Sequence, residues 1–379
     1  MTQGSHQGPA GPRSFSRSQR RYAILFAILI AVVGVVAFNL LSSGSRIDPG
    51  GPGHAVPEER IRQTYLPGRT YESVLLIDLD GRGTNRDWGI TVDTNFLYHG
   101  ELQIRRKIES NDGHELVLVQ TFTRAQNVVV ATDIDNISFR NLGVAGELLL
   151  GAIDLAGTVE LGLPPGWANL SRSQTETIMN HPAARAMLSK IASSEATKAM
   201  GYVDSLQGKS IRLRYIDGRG VQKPVEPIGC TLDANEEKVL ETTSIISDTY
   251  VLPDEQSKAG DRWVIYGRDL MGVLDPSMRA SLDGKLNVTR RKDEGRFAVI
   301  EIDRGSHLKL VTSDDQARYL GDWYPTGNMH FSKDDRIVTR ADMSGDFSVK
   351  RESTNHWIFK AELHTQPKYN IQYTCRLLP

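Results

Sequence analysis

The sequence predicts an α+β protein in which β-structure dominates. An N-terminal transmembrane helix leads into an ectodomain of curved antiparallel sheets, half-barrel-like, with one main helix near residues 182–204. Three observations carry this expectation. Tyr22–Leu41 is an apolar run without a charge, residues from about 60 onward alternate apolar with polar, and one Ala-rich stretch follows Asn180-His181-Pro182.

Composition frames the rest. At 379 residues with 39% apolar and 24% charged side chains, the chain has ordinary globular composition and length for one large or two medium domains. A formal charge of -1 argues against a general nucleic-acid binder, so no nucleic-acid partner is expected. Two cysteines exclude a cysteine-built zinc cluster or an iron–sulfur centre made by this chain alone. No cofactor, no metal set and no catalytic residue is assigned.

Residues 1–21 read as a disordered cytoplasmic tail rich in Gly, Ser, Gln and Arg. Residues 22–41 read as a membrane anchor, since about 20 apolar residues span the hydrocarbon core. Arg13, Arg17, Arg20 and Arg21 precede it, which places the N-terminus inside and the rest of the chain outside the cytoplasm. In a two-membrane envelope that outside is the periplasm. A cleaved signal peptide is disfavoured by the length of the run and by the lack of a small-x-small site after it. Residues 42–59 form a Gly/Pro/Ser linker.

The exported part divides into a first β-rich half with a helical segment, 60–207, and a second β-rich half, 208–379. Tyr71, Ser73, Leu75, Ile77 and Leu79 fall on one strand face, as do Leu102 with Ile104 and Leu116 with Leu118. Asn111-Asp112-Gly113 predicts a hairpin turn. Trp357, Phe359, Ala361 and Leu363 share a face in one late strand, and Tyr369, Ile371, Tyr373, Cys375 and Leu377 in the last. Trp263 and Trp357 each open an alternating strand and are expected to be largely buried. Leu142–Leu163 is rich in Leu, Gly and Ala, and reads as a buried helix or strand pair. A faint duplication links Pro67–Tyr71 and Gly100–Ile104 with Ala259–Trp263 and Gly284–Val288; residue patterns alone leave it open.

Local catalytic signatures are missing: no Gly-x-Ser-x-Gly elbow, phosphate loop, dinucleotide motif or His-Glu-x-x-His helix occurs. An enzyme is therefore the less favoured class. Asp78–Gly83 has a superficial calcium-loop pattern, but Arg82 occupies a ligand position, so it reads as a polar loop. Arg105-Arg106-Lys107 and Arg290-Arg291-Lys292 read as solvent-facing hairpin ends. Cys230 shares an alternating face with Ile228 and Leu232, and both cysteines are expected to be free and buried.

The segments Leu252-Pro253, Gly260-Asp261-Arg262-Trp263, Gly284–Arg290 and Gly295–Ile300 resemble a pattern in uncharacterised bacterial exported proteins, across roughly residues 208–303. The resemblance implies an envelope protein with curved antiparallel sheets, distantly like lipoprotein-carrier half-barrels, and transfers no catalytic residue. The function expected is that of a membrane-tethered, extracytoplasmic, non-catalytic protein. It would bind an apolar, lipid-like ligand or an envelope protein partner. An envelope hydrolase with a site assembled from distant residues, or a structural scaffold, is the alternative.

Overall fold

The computed structural model describes residues 64–87, 90–139, 172–190, 204–216, 220–221, 225–233, 236, 252, 257–268, 279–313, 317–353 and 362–379. The strands are β1 (Thr70–Asp87), β2 (Ile90–Asn111), β3 (Glu115–Phe139), β4 (Ser210–Ile216), β5 (Gly220–Val221), β6 (Glu226–Ile228) and β7 (Arg262–Tyr266). They continue with β8 (Arg279–Arg290), β9 (Phe297–Ile302), β10 (His307–Ser313), β11 (Ala317–Ser332), β12 (Ile337–Ser353) and β13 (Glu362–Leu378).

All belong to one sheet, paired antiparallel throughout. From one flank it runs β7, β8, β9 with β10, β11, β12, β13, β1, β2, β3 and β4, and β4 carries both β5 and β6. Strand β1 therefore lies mid-sheet, held by the last strand on one side and by β2 on the other. β9 and β10 act as one interrupted strand. Each pairs with β8 and with β11, and Asp303–Ser306 bulges out between them.

One face of this sheet is apolar from flank to flank. Leu79, Ile104, Leu118, Phe122, Leu213, Leu286, Ile300, Met329, Met343 and Ile371 are all at most 1% exposed and belong to one hydrophobic cluster. A flat single-layer sheet leaves its face to solvent, so exposures this low mean that the apolar face is enclosed. Curvature needs room for rings to lie on the backbone. Gly81 provides it opposite Phe96: a Cβ there would stand 2.6 Å from Phe96 Cζ and 2.8 Å from the Pro367 Cα.

Residues 64–69 close one end of the sheet. The Thr64 N–H donates to the Arg336 carbonyl in the β11–β12 turn at 2.9 Å. The Asn111 amide donates to the Tyr65 carbonyl at 2.8 Å, so the β2–β3 hairpin is tied to the same strap. The Tyr65 ring meets Tyr71 edge-on at 5.3 Å. Buried polar groups lie nearby: Arg106 donates to Gln120 at 3.0 Å and to Ser73 at 3.4 Å, which offsets the cost of hiding its charge.

The opposite face carries ion pairs across strands. Glu72 on β1 accepts from Arg105 on β2 at 3.0 Å and from Arg376 on β13 at 2.5 Å. Arg212 joins Glu109 and Glu226, Arg124 joins Glu101, and Arg214 joins Glu115. A barrel that spans a bilayer turns an apolar band outward. Here the outward face is charged and the enclosed face apolar.

Two turns in the sheet share a geometry. Gly68 and Gly260 both have positive φ, at 76° and 97°. The Gly68 N–H donates to the Ile108 carbonyl, and the Ile108 N–H donates back to Arg69; Gly260, Arg290 and Asp261 repeat this pair of bonds. Each turn launches the strand that begins a meander, β1 in one case and β7 in the other. Ile108 and Arg290 thus occupy equivalent places, two residues off the register suggested by matching Gly100 with Gly284.

Several expectations need correction. The α+β class with a transmembrane helix gives way to a predominantly β-sheet protein. The described helices are α1 (Arg172–Met179) and α2 (182–190), with a short 3-10 turn at Asp204–Leu206. No described helix is long and apolar enough to cross a membrane. The single-pass and signal-anchor description is therefore not supported, and residues 22–41 lie outside the described residues. So do the cytoplasmic tail, the linker 42–59, the Leu/Gly-rich segment 142–163 and Trp357. The helix expected at 182–204 does begin at Pro182, but its described part ends at 190; α1 before it was not expected.

Asp78–Gly83 is no loop. It lies inside β1, where Asp78, Asp80 and Arg82 point outward and Leu79, Gly81 and Gly83 inward. The arginine-rich segments are solvent-facing only in part: Arg105 and Lys107 are exposed about a buried Arg106, and Arg290 is buried at the end of β8 before the exposed Arg291 and Lys292. Trp263 is half-buried rather than enclosed. Both cysteines are free, Cys375 buried and Cys230 half-buried. The Ile228 side chain is exposed: β6 is a three-residue edge strand exposed at every position, so the expected alternating face with Cys230 is not formed.

Candidate functional site

The bulge between β9 and β10 shapes the outward face. Four residues, Asp303–Ser306, stand against two of β8, Leu286 and Asn287. Asp, Gly and Ser are residues that favour turns, and here they hold the excursion with local hydrogen bonds. The Asp303 N–H donates to the Asn287 carbonyl at 2.8 Å, and the Asn287 side-chain amide donates to the Gly305 carbonyl at 2.9 Å. The Asn287 N–H donates to the Ser306 hydroxyl at 2.9 Å.

Beside the bulge, a cavity of about 310 Å³ opens towards β7. Arg262, Trp263, Val264, Asn287, Asp303 and Gly305 line it. β7 pairs with β8 in a register that sets Val264 against Asn287 and Tyr266 against Lys285. Alternation then turns Arg262, Val264 and Tyr266 outward, with Val264 at 42% and Tyr266 at 48% exposure. The Arg268 guanidinium lies over the Tyr266 ring, 5.2 Å from its centre.

The row through Tyr266 continues across the sheet. Lys285 pairs with His307, and the His307 ring stacks on Tyr324 at 4.5 Å with 4° between the planes. His307 is held by a 2.8 Å contact between its Nε2 and Asp322. Tyr324 is 46% exposed. The charges around the cavity are of mixed sign, and those of Asp303 and Arg291 are already engaged. Asp303 accepts from the Thr289 hydroxyl at 2.8 Å and lies 3.9 Å from Arg291, which is also paired with Glu301.

Behind the cavity, Arg290 pins the turn that launches β7. It bonds Ser257 and makes a two-nitrogen contact with Asp293, which Lys333 also reaches at 3.0 Å. Burial would raise the Asp293 carboxyl, but Lys333 and Arg290 outweigh it and hold it below its ordinary range. These groups fix the cavity wall; they do not line the cavity.

The groups lining the cavity can donate and accept hydrogen bonds. One carboxylate, one amide and one guanidinium line the cavity, and a hydrolase would need a second acid–base group or a nucleophile beside its base. Among the described residues, no group of three His, Cys, Asp or Glu side chains could hold a metal ion. No site residue was named from sequence. Signals for this one were present in Asp303–Ser306, a turn-rich break between two apolar runs, and in the alternation of Val264 and Tyr266.

No family model matches the chain, and no curated protein matches it. Solved structures with weak similarity include an outer membrane channel from Pseudomonas putida F1, at 7% identity and a TM-score of 0.14, with 85% of this chain and 99% of that one covered. Another is Pseudomonas aeruginosa OccK7 (OpdD), at 8% identity and a TM-score of 0.16, with 82% and 99% covered. At these TM-scores the likeness carries no argument about fold or function.

Proposed function

We propose that this chain is a non-catalytic, extracytoplasmic binding protein of the cell envelope that engages its ligand or partner on the outward sheet face around the β7–β8 cavity. One observation carries this reading. The cavity is bordered by the outward-facing Arg262, Val264, Asn287 and Asp303, while the apolar side chains of the described inner face are held at near-zero exposure. That favours a partner or polar ligand outside over a lipid inside. Export is supported by the arginines and the apolar run of residues 13–41, a pattern that engages secretion machinery.

Photo-crosslinking in intact cells tests it. A benzoylphenylalanine at Val264 is compared with one at Leu97, which is equally exposed but lies on β2. Adducts specific to position 264 support the outer-face reading. Equal labelling at both positions, or none at 264, overturns it. Native mass spectrometry of the gently extracted chain gives the second check: a stoichiometric co-purifying lipid would move the ligand to the apolar face and count against this proposal.

A further inference from the structure

Resting on the outer-face reading, we infer that the row Tyr266, Lys285, His307 and Tyr324, together with the cavity beside it, is a platform for an uncharged polysaccharide strand. Three features select that class. Tyr266 and Tyr324 hold nearly half of their surface in solvent on a face otherwise carrying ion pairs, and both rings are fixed, one under Arg268 and one against His307. A Tyr ring offers an apolar face with a polar rim, the complement of a sugar's C–H face with its hydroxyl edge. The row crosses three strand spacings, about 14 Å, which suits a chain of rings rather than a single one.

The polar groups point the same way. Arg262, Asn287 and Asp303 supply donors and acceptors at one end of the row, in a cavity near the lower bound of small-molecule sites. Asp303 and Asp322 are each already paired, with Thr289 and with His307. A polyanion would meet Asp322 beside His307 and Asp303 in the cavity wall. A nucleic acid needs a continuous basic track, and a lipid needs a contiguous apolar patch; here Lys285 and His307 interrupt the aromatics. A neutral, hydroxyl-rich ligand with apolar ring faces meets none of these objections.

The test uses the full chain with two soluble probes, the hexasaccharides of β-1,4-linked glucose and of β-1,4-linked N-acetylglucosamine. Titration is followed by calorimetry and by tryptophan emission, since Trp263 lines the cavity. At least one probe should bind saturably. Tyr266→Ala and Tyr324→Ala should each weaken binding about fivefold or more, and Tyr324→Phe should stay within about twofold. Leu97→Ala, on the same face but off the row, should change nothing. Circular dichroism confirms that each variant is folded, and a variant that fails to fold is replaced by Tyr→Leu at that position. No binding by either probe, or binding that both tyrosine variants leave intact, overturns the inference. If position 264 still crosslinks a protein in that case, the outer-face reading survives and the ligand is a protein; if it captures nothing, both fall.

Discussion

Glu72 is 3% exposed on the outward face, yet it keeps its charge. Hydrogen bonds from Arg376 and Arg105 hold its carboxyl below the ordinary value near 4.5, against the upward push of burial. A depressed folded value stabilises the fold above the ordinary carboxylate range. That stability is lost as pH falls from there down through the folded value. Glu72→Gln should therefore lower the thermal midpoint at pH 7. The gap to the wild type should narrow as the pH falls from the ordinary carboxylate range through the folded value, because the wild-type side chain then becomes neutral too. A gap independent of pH would mean that packing, not charge, is what Glu72 contributes. Cys375 shows the reverse balance: burial pushes its thiol up and leaves it unreactive.

At the scale of elements, the paired turns at Gly68 and Gly260 make a comparison possible. Nothing lies within 4 Å of a Cβ added at either glycine, so only the positive φ opposes a side chain. Gly260→Ala should cost about 1–3 kcal/mol, and Gly68→Ala the same within about 1 kcal/mol, read from urea midpoints. Gly260→Ala should also loosen β7 and raise the exchange rate of the Trp263 amide.

Strand faces were legible in the sequence, because burial on one side imposes a period of two. Tyr71 to Leu79 and Tyr369 to Cys375 alternate in the structure as they do in the text. What the sequence hid were features set by partners far along the chain. Gly81 and Gly83 read as loop residues, but both are strand positions, and over Gly81 Phe96 and Pro367 must fit. Arg106 reads as a surface charge, because Gln120 and Ser73, which satisfy it, are 14 and 33 residues away. The turn-rich break at Asp303–Ser306 and the alternation of β7 were visible, but their meeting was not: Arg262 on β7, Asn287 on β8 and Asp303 in the bulge after β9 are brought together by pairing register, which no local pattern encodes.

For the whole molecule, the division of polarity decides which solvent it meets. Charged pairs face outward and the apolar face is enclosed, so a truncated chain starting at residue 60 should stay soluble without detergent. It should remain in the aqueous fraction when mixed with phosphatidylcholine vesicles and floated on a density gradient. Flotation with the vesicles would show that the sheet presents apolar surface that the described residues do not.

The strap at Thr64–Arg69 has a mechanical consequence. It leads directly into β1, the strand gripped on both sides, and Thr70 lies beside Leu378 of β13 at the same end. A tug on the strap resisted at the far end of the sheet would load both ladders of β1 in shear, so that many backbone bonds must break together. A tug on the strap resisted at Leu378 would instead unzip β1 from β13 one pair at a time, starting at Thr70. The same fold is thus stiff along one line of force and weak along another.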